Sequence, residues 1–163
     1  MAYLKFNKSE LVNLEYSLKR EVLATNRARG YMSSTIVGCN TRKYHGLLIL
    51  PIEEFDSEKH VLLSTLDETV IQHGQAFNLG IHKYPGNYEP RGHKYIVDFE
   101  YEPVYTLTYR VGGVLLKKEI VLVHNEAQLL IRYTLLDAHS ATTLRLKPFL
   151  AYRNIHKLSK ANM

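Results

Sequence analysis

Tryptophan is missing from this chain, cysteine occurs once, and proline occurs five times in 163 residues. A lone Cys39 excludes an intramolecular disulfide and a cysteine-rich zinc site. No apolar run approaches the roughly 20 residues that a helix needs to cross a bilayer. The segment from Met1 to Ser9 has no apolar stretch of the secretory kind, so the expected compartment is the cytoplasm. Eight histidines are present, but none stands in an H-E-x-x-H or H-x-H spacing, so neither a metal nor another cofactor is expected. G-x-S-x-G and Walker-type phosphate loops are also absent. There is no internal repeat, low-complexity tract or linker, so residues 1–163 read as one domain.

What is present is ordinary in bulk and uneven in detail. The hydrophobic fraction of 45% and charged fraction of 23% suit a globular domain with a proper core. The formal charge of +5 is a mild excess, with Arg20, Arg27, Arg29, Arg42 and Lys43 crowding the first third. Twelve tyrosines supply flat apolar rings with polar tips, suited to half-buried strand faces and to stacking on sugars or bases.

Thr25 to Leu50 is the densest stretch in hydrogen-bonding residues. Gly30, Gly38 and Gly46 lie eight residues apart, the spacing of turns between short strands. Asn40-Thr41-Arg42-Lys43-Tyr44-His45-Gly46 is a polar loop that runs into an apolar strand over Leu47–Ile52. Before it, Leu11, Leu14, Leu18 and Val22 recur at helical spacing with Ser9 as a candidate cap, whereas Lys5-Phe6 and Glu21-Val22-Leu23 also read as short strands. Of these, Glu21–Leu23 favours strand.

His60–Leu66 and Glu68–His73 read as a strand pair, followed by a short segment at Ala76–Leu79. Residues 80–94 hold Gly80, Gly86, Gly92, Pro85 and Pro90, and read as a long surface loop. Beyond it, Tyr105, Leu107, Tyr109 and Val111 alternate with Thr106, Thr108 and Arg110, the period of a strand with one wet face. Gly112-Gly113 supplies a two-residue turn that tolerates positive φ at both positions. Val114–His124, Leu129–Leu135 and Thr142–Leu150 continue the pattern as a meander. Ala151–Lys157 reads as loop, and the chain stops at Met163 without a closing element. The fold class is therefore all-β, with two packed antiparallel sheets.

Catalytic constellations are scarce. Asp67-Glu68 is the obvious carboxylate pair, but neighbouring strand residues face opposite ways. Cys39 reads as a buried, inert thiol. No catalytic centre emerges from the residues themselves.

Three blocks carry a resemblance: Val22-Leu23-Ala24-Thr25-Asn26, Arg29-Gly30-Tyr31-Met32-Ser33-Ser34-Thr35, and Asn40-Thr41-Arg42-Lys43-Tyr44-His45-Gly46-Leu47-Leu48. Val61–Thr69, Tyr84-Pro85-Gly86, Tyr105–Gly113 and Ala151-Tyr152-Arg153 extend it over nearly the whole chain. Together they resemble the N-terminal domain of bacterial and archaeal glycogen debranching enzymes. The resemblance implies a β-supersandwich placed ahead of an (α/α)-barrel that removes the α-1,6-linked branch stub of glycogen. In that family the catalytic carboxylates belong to the barrel, so the chain alone is expected to be inactive. The family is also connected with glucan transfer, a step to which no residue here corresponds. One departure stands out. The family has a glycine-rich segment after Thr-Asn, whereas Asn26 is followed here by Arg27-Ala28-Arg29, which predicts a different path for the loop.

Two functional readings follow. The first is an accessory domain that braces the barrel and contacts α-glucan through Asn40, Arg42, Tyr44 and His45, with Tyr31 and Tyr152 as stacking or contact residues. A purely structural reading stands beside it: Asn40 and Thr41 satisfying the turn, Arg42 pairing with a carboxylate, Tyr44 in the core. The second functional reading, ranked well behind, is a free-standing β domain that binds single-stranded nucleic acid through Arg27, Arg29, Arg42, Lys43 and exposed tyrosines. A sandwich lacking its closing strands is also expected to self-associate through unpaired edges.

Overall fold

The computed structural model describes residues 4–102 and 104–158; the chain end at Met163 lies outside them. In chain order the elements are β1 (Leu4–Asn7), α1 (Lys8–Val12), α2 (Leu14–Ser17), β2 (Glu21–Thr25), β3 (Tyr31–Thr35), β4 (Gly46–Pro51), β5 (Lys59–Gln72) and β6 (Gln75–Asn78). There follow β7 (His82–Tyr84), β8 (Asn87–Glu89), a 3₁₀ turn (Gly92–Tyr95), β9 (Ile96–Tyr101), β10 (Tyr105–Val111), β11 (Val114–Leu122), β12 (Leu129–Asp137) and β13 (Thr143–Asn154).

The strands form two large antiparallel sheets, as the alternating patterns require, and a small two-stranded one, β7-β8. One runs β1-β9-β10-β11-β12; the other runs β13-β5-β4-β3-β2, with β6 paired to β5. Met32 and Val70 from the second sheet, with Ile36 just past β3, meet Phe99, Leu107, Leu116 and Ile120 from the first in a common core. Gly112 and Gly113 have φ of 55° and 80°, so the β10–β11 turn takes the left-handed conformation that their lack of Cβ permits.

The start of the chain resolves into both of the forms its sequence allows. β1 is followed by two single-turn helices, and Glu21–Thr25 is a strand. The cap is Asn7, not Ser9. Asn7 Oδ1 accepts from the Ser9 and Glu10 amides, and Glu10 returns a carboxylate to the Asn7 amide, closing a capping box. Ser9 donates its hydroxyl to the same Asn7 oxygen at 2.6 Å. Asn13 caps the second turn and breaks the periodic segment. Leu11, fully buried, and the half-buried Leu14 and Leu18 still pin the segment to the core.

Three other expectations change. His60–Leu66 and Glu68–His73 are a single strand, β5, which runs unbroken through Asp67. The 80–94 segment is not plain loop, for it holds the β7–β8 hairpin and the 3₁₀ turn. The final strand does not extend the meander. β13 crosses to the other sheet, pairs with β5, and continues through Ala151–Asn154, past the expected end at Leu150.

The sheets are joined by polar as well as apolar contacts. Glu68 on β5 is buried facing β11 and β12, where it forms an ion pair with Lys118 and accepts the Tyr133 hydroxyl at 2.5 Å. Tyr105 donates its hydroxyl across the sandwich to the Thr35 carbonyl at 3.0 Å. Burial and the nearby Glu68 carboxylate push the Tyr105 and Tyr133 hydroxyls well above the ordinary tyrosine range, so both stay protonated donors. Breaking one side of a buried ion pair strands the other charge. Lys118→Met is therefore expected to cost about 3–5 kcal/mol in urea unfolding. The double variant Glu68→Gln/Lys118→Met, which removes both charges, should cost clearly less.

Candidate functional site

The polar loop between β3 and β4 is held by its own side chains. Thr35 Oγ1 donates to the Cys39 carbonyl at 2.9 Å and accepts the Cys39 amide at 3.0 Å, closing a tight turn. Cys39 is buried and its thiol is pushed up to about 11, chiefly by desolvation, as an inert thiol should be. Asn40 accepts the Ser34 hydroxyl at 2.9 Å and donates to the Ser64 carbonyl at 3.0 Å. Both halves of its amide are thus engaged inside the protein, stitching the loop to β3 and β5.

His45 is buried and accepts the Thr41 amide on Nδ1 at 3.0 Å, which places its proton on Nε2. That nitrogen stands 3.4 Å from Glu21 Oε1, a long contact without an aligned hydrogen bond. Glu21 is better engaged by Arg42, whose Nε lies 2.6 Å from the same oxygen. Arg42 thus pairs with a carboxylate, as its structural reading anticipates. Burial lowers the His45 pKa, Glu21 raises it, and Arg42 lowers it.

The other three predicted residues sit differently. Tyr31 donates its hydroxyl to the Tyr44 carbonyl at 3.0 Å, which brings these two together. Tyr44 is not core. Its ring is partly exposed and meets His156 edge-on at 5.8 Å between centroids, with Lys43 Nζ 5.0 Å from its centroid. Arg153 donates to the Lys43 carbonyl at 2.6 Å, fastening the end of β13 to the loop. Its neighbour Tyr152, 66% exposed and at φ 50°, meets the 67% exposed Phe55 edge-on at 6.4 Å. Phe55 in turn lies 6.1 Å from His60, and Lys59 Nζ lies 5.2 Å from the Tyr31 ring.

One corner of the second sheet therefore gathers Tyr31, Tyr44, Phe55, Tyr152 and His156, flanked by Lys43 and Lys59. It is assembled from β3, the polar loop, the Glu53–Glu58 loop and the end of β13. Arg42 and His45 form a separate group with Glu21, and Asn40 faces inward. Phe55 is the contributor that sequence reasoning passed over, although a lone aromatic in an acidic loop marks it. Exposed rings edged by cations and hydroxyls can stack on a sugar face and hydrogen-bond its hydroxyls.

Elsewhere, Asp67 and Glu68 face opposite ways, as strand geometry demands. Asp67 Oδ2 lies 2.8 Å from His82 Nε2 on the outer side, while Glu68 is held in the core. Arg29 and Arg42 are paired with Glu53 and Glu21, which neutralises two of the four cations a nucleic-acid surface would use. The turn after Asn26 is closed by Asn26 Oδ1 on the Gly30 amide at 2.8 Å, with Arg29 at φ 61°. A Cβ at Gly30 would come within 2.5 Å of Leu50 Cδ2, so any other residue there would have to displace the Leu50 side chain. Among the described residues, no group of three or more His, Cys, Asp or Glu side chains is placed to hold a metal ion, and no helix is long and apolar enough to cross a membrane.

The Glu21–His45–Arg42 group makes a directional prediction. Glu21→Gln removes an influence that raises the His45 pKa and should shift its NMR titration lower; Arg42→Ala should shift it higher. Because His45 titrates below its unfolded value of about 6.5, its contribution to stability is intact above that pH. That contribution is lost as pH falls toward the folded pKa.

No curated protein and no solved structure matches the chain. A family model does: the glycogen debranching enzyme N-terminal model matches residues 20–163, which hold every strand of the two sheets except β1. The match takes in the polar loop, the Glu68 network and all six residues singled out in the sequence. The chain belongs to the glycogen debranching enzyme N-terminal family.

Proposed function

We propose that this domain is the accessory part of a glycogen debranching enzyme, bracing an (α/α)-barrel that carries the α-1,6-glucosidase carboxylates. In this reading it also presents the Tyr44–Tyr152 corner to α-glucan chains on their way to that barrel. Family membership supports the first statement. The observation that carries the second is the exposure of Tyr44, Phe55 and Tyr152 in one corner. Tyrosine and phenylalanine left in water on a fixed frame suit a flat apolar ligand with polar edges, which describes a glucose ring.

The six residues divide their work in this reading. Tyr44 and Tyr152 touch glucan directly, and Tyr31 holds the Tyr44 backbone. Asn40, Arg42 and His45 set the loop: Asn40 ties it to β5, and the Arg42–Glu21 pair beside His45 fixes its base.

An amide NMR titration with maltoheptaose tests the proposal. Shifts are expected at Lys43–His45 and Tyr152–His156. Tyr44→Ala and Tyr152→Ala should each weaken binding about tenfold, the worth of one good ring contact. Shifts confined to other surfaces, or none at all, would remove the glucan contact and leave the bracing role.

A further inference from the structure

The second sheet has a break in the middle of β5. On the side away from β13, β5 pairs with β4 as far as Leu63 and with β6 from Thr69 onward. Between these points two loops reach it. Asn40 donates to the Ser64 carbonyl at 3.0 Å, and the Leu79 amide donates to the Glu68 carbonyl at 2.8 Å. Leu66 lies midway between those two bonds.

The direction of the Leu66 backbone follows from the strand itself. Along an antiparallel strand, the amide and carbonyl of one residue point to one neighbour and those of the next residue to the other. Gln72 and Gln75 flank the two-residue turn His73-Gly74, whose φ of 50° and 73° belong to a tight hairpin, so Gln72 bonds toward β6. Glu68 points the same way, as its bond to Leu79 shows, and so does Leu66. Among the described residues no protein group on that side bonds to the Leu66 amide or carbonyl. Pro148, opposite Leu66 on β13, has no amide to offer instead. Backbone groups inside a fold rarely stay unpaired.

A cavity of about 30 Å³ lies at this break, bordered by Leu66, Gly38 and Gly80, with the buried Leu79 and Ile81 among its walls. Tyr109 borders it too. Tyr109 is buried, and its hydroxyl, unlike those of Tyr105 and Tyr133, bonds to no protein group among the described residues. We infer that an ordered water occupies this cavity, bonded to the Leu66 backbone and the Tyr109 hydroxyl, and takes the place of the missing strand. One water takes up about 30 Å³ in the liquid and needs a few polar partners, both of which the site supplies. An ion fits poorly. Asp67 and Glu68 on the cavity wall disfavour an anion, and Lys118 disfavours a cation. These charges already have partners, Asp67 in His82 and Glu68 in Lys118. Water both donates and accepts, so it suits an amide, a carbonyl and a hydroxyl together.

A crystal structure of the 163-residue chain, at a resolution that shows ordered waters, tests the site. A density peak is expected within about 3.2 Å of a Leu66 backbone atom and of Tyr109 Oη. In solution, a water–amide NOE should appear at Leu66 and be missing at Val70, which is paired with Phe77 on β6. A cavity without a peak overturns the inference. So does a peak ringed by oxygens at about 2.3–2.6 Å, which marks a bound calcium ion. A water NOE at neither amide, or of equal strength at both, overturns it as well.

Discussion

A carboxylate buried between two sheets is the constraint on which this fold turns. Glu68 sits on the inner face of β5, where an aliphatic residue would pack without cost. It is balanced there by Lys118 from β11 and the Tyr133 hydroxyl from β12. An apolar core tolerates many small slips of one sheet over the other. A buried ion pair does not, because any slip strands a charge in a medium of low polarity. The pair thus contributes less to net stability than to the choice of one arrangement. With the Tyr105–Thr35 bond it sets which strands face one another.

That alignment has consequences at the far end of β5. Thr143–Asn154 pairs along almost its whole length, and the pairing carries Tyr152 and Arg153 to the start of the strand. There Arg153 meets the Lys43 carbonyl and the aromatic corner is completed. The long fourteen-residue strand acts as a ruler between the buried carboxylate in the core and the exposed rings at the corner.

The two neighbourhoods of the polar loop follow different physics. Around His45 and Asn40 the side chains satisfy one another, and little is left over for a ligand. Tyr44 is held at its carbonyl by Tyr31, and the rings of Tyr44 and Tyr152 remain partly or largely exposed. Within the polar loop, inward-held Asn40 and His45 thus stand beside the exposed Tyr44.

Alternation of apolar and polar residues over Tyr105–Val111, with Gly112-Gly113 behind it, was enough by itself to identify the β10–β11 hairpin, because both signals are local. The all-β class and the family blocks around Asn40–Leu48 were legible for the same reason. β5 was not. Its middle lies under the 80–94 segment on one side and over the core on the other, so Asp67-Glu68 looked like a turn in a strand that never bends. Nor was the partner of β13 legible, since alternation tells a strand which face to bury and not which neighbour to choose. The aromatic corner draws on four segments spread over more than a hundred residues, and no local pattern records that they meet. Composition and period determined what kind of elements this chain makes. Only the tertiary structure, by demanding a partner for each buried charge, decided which of them stand side by side.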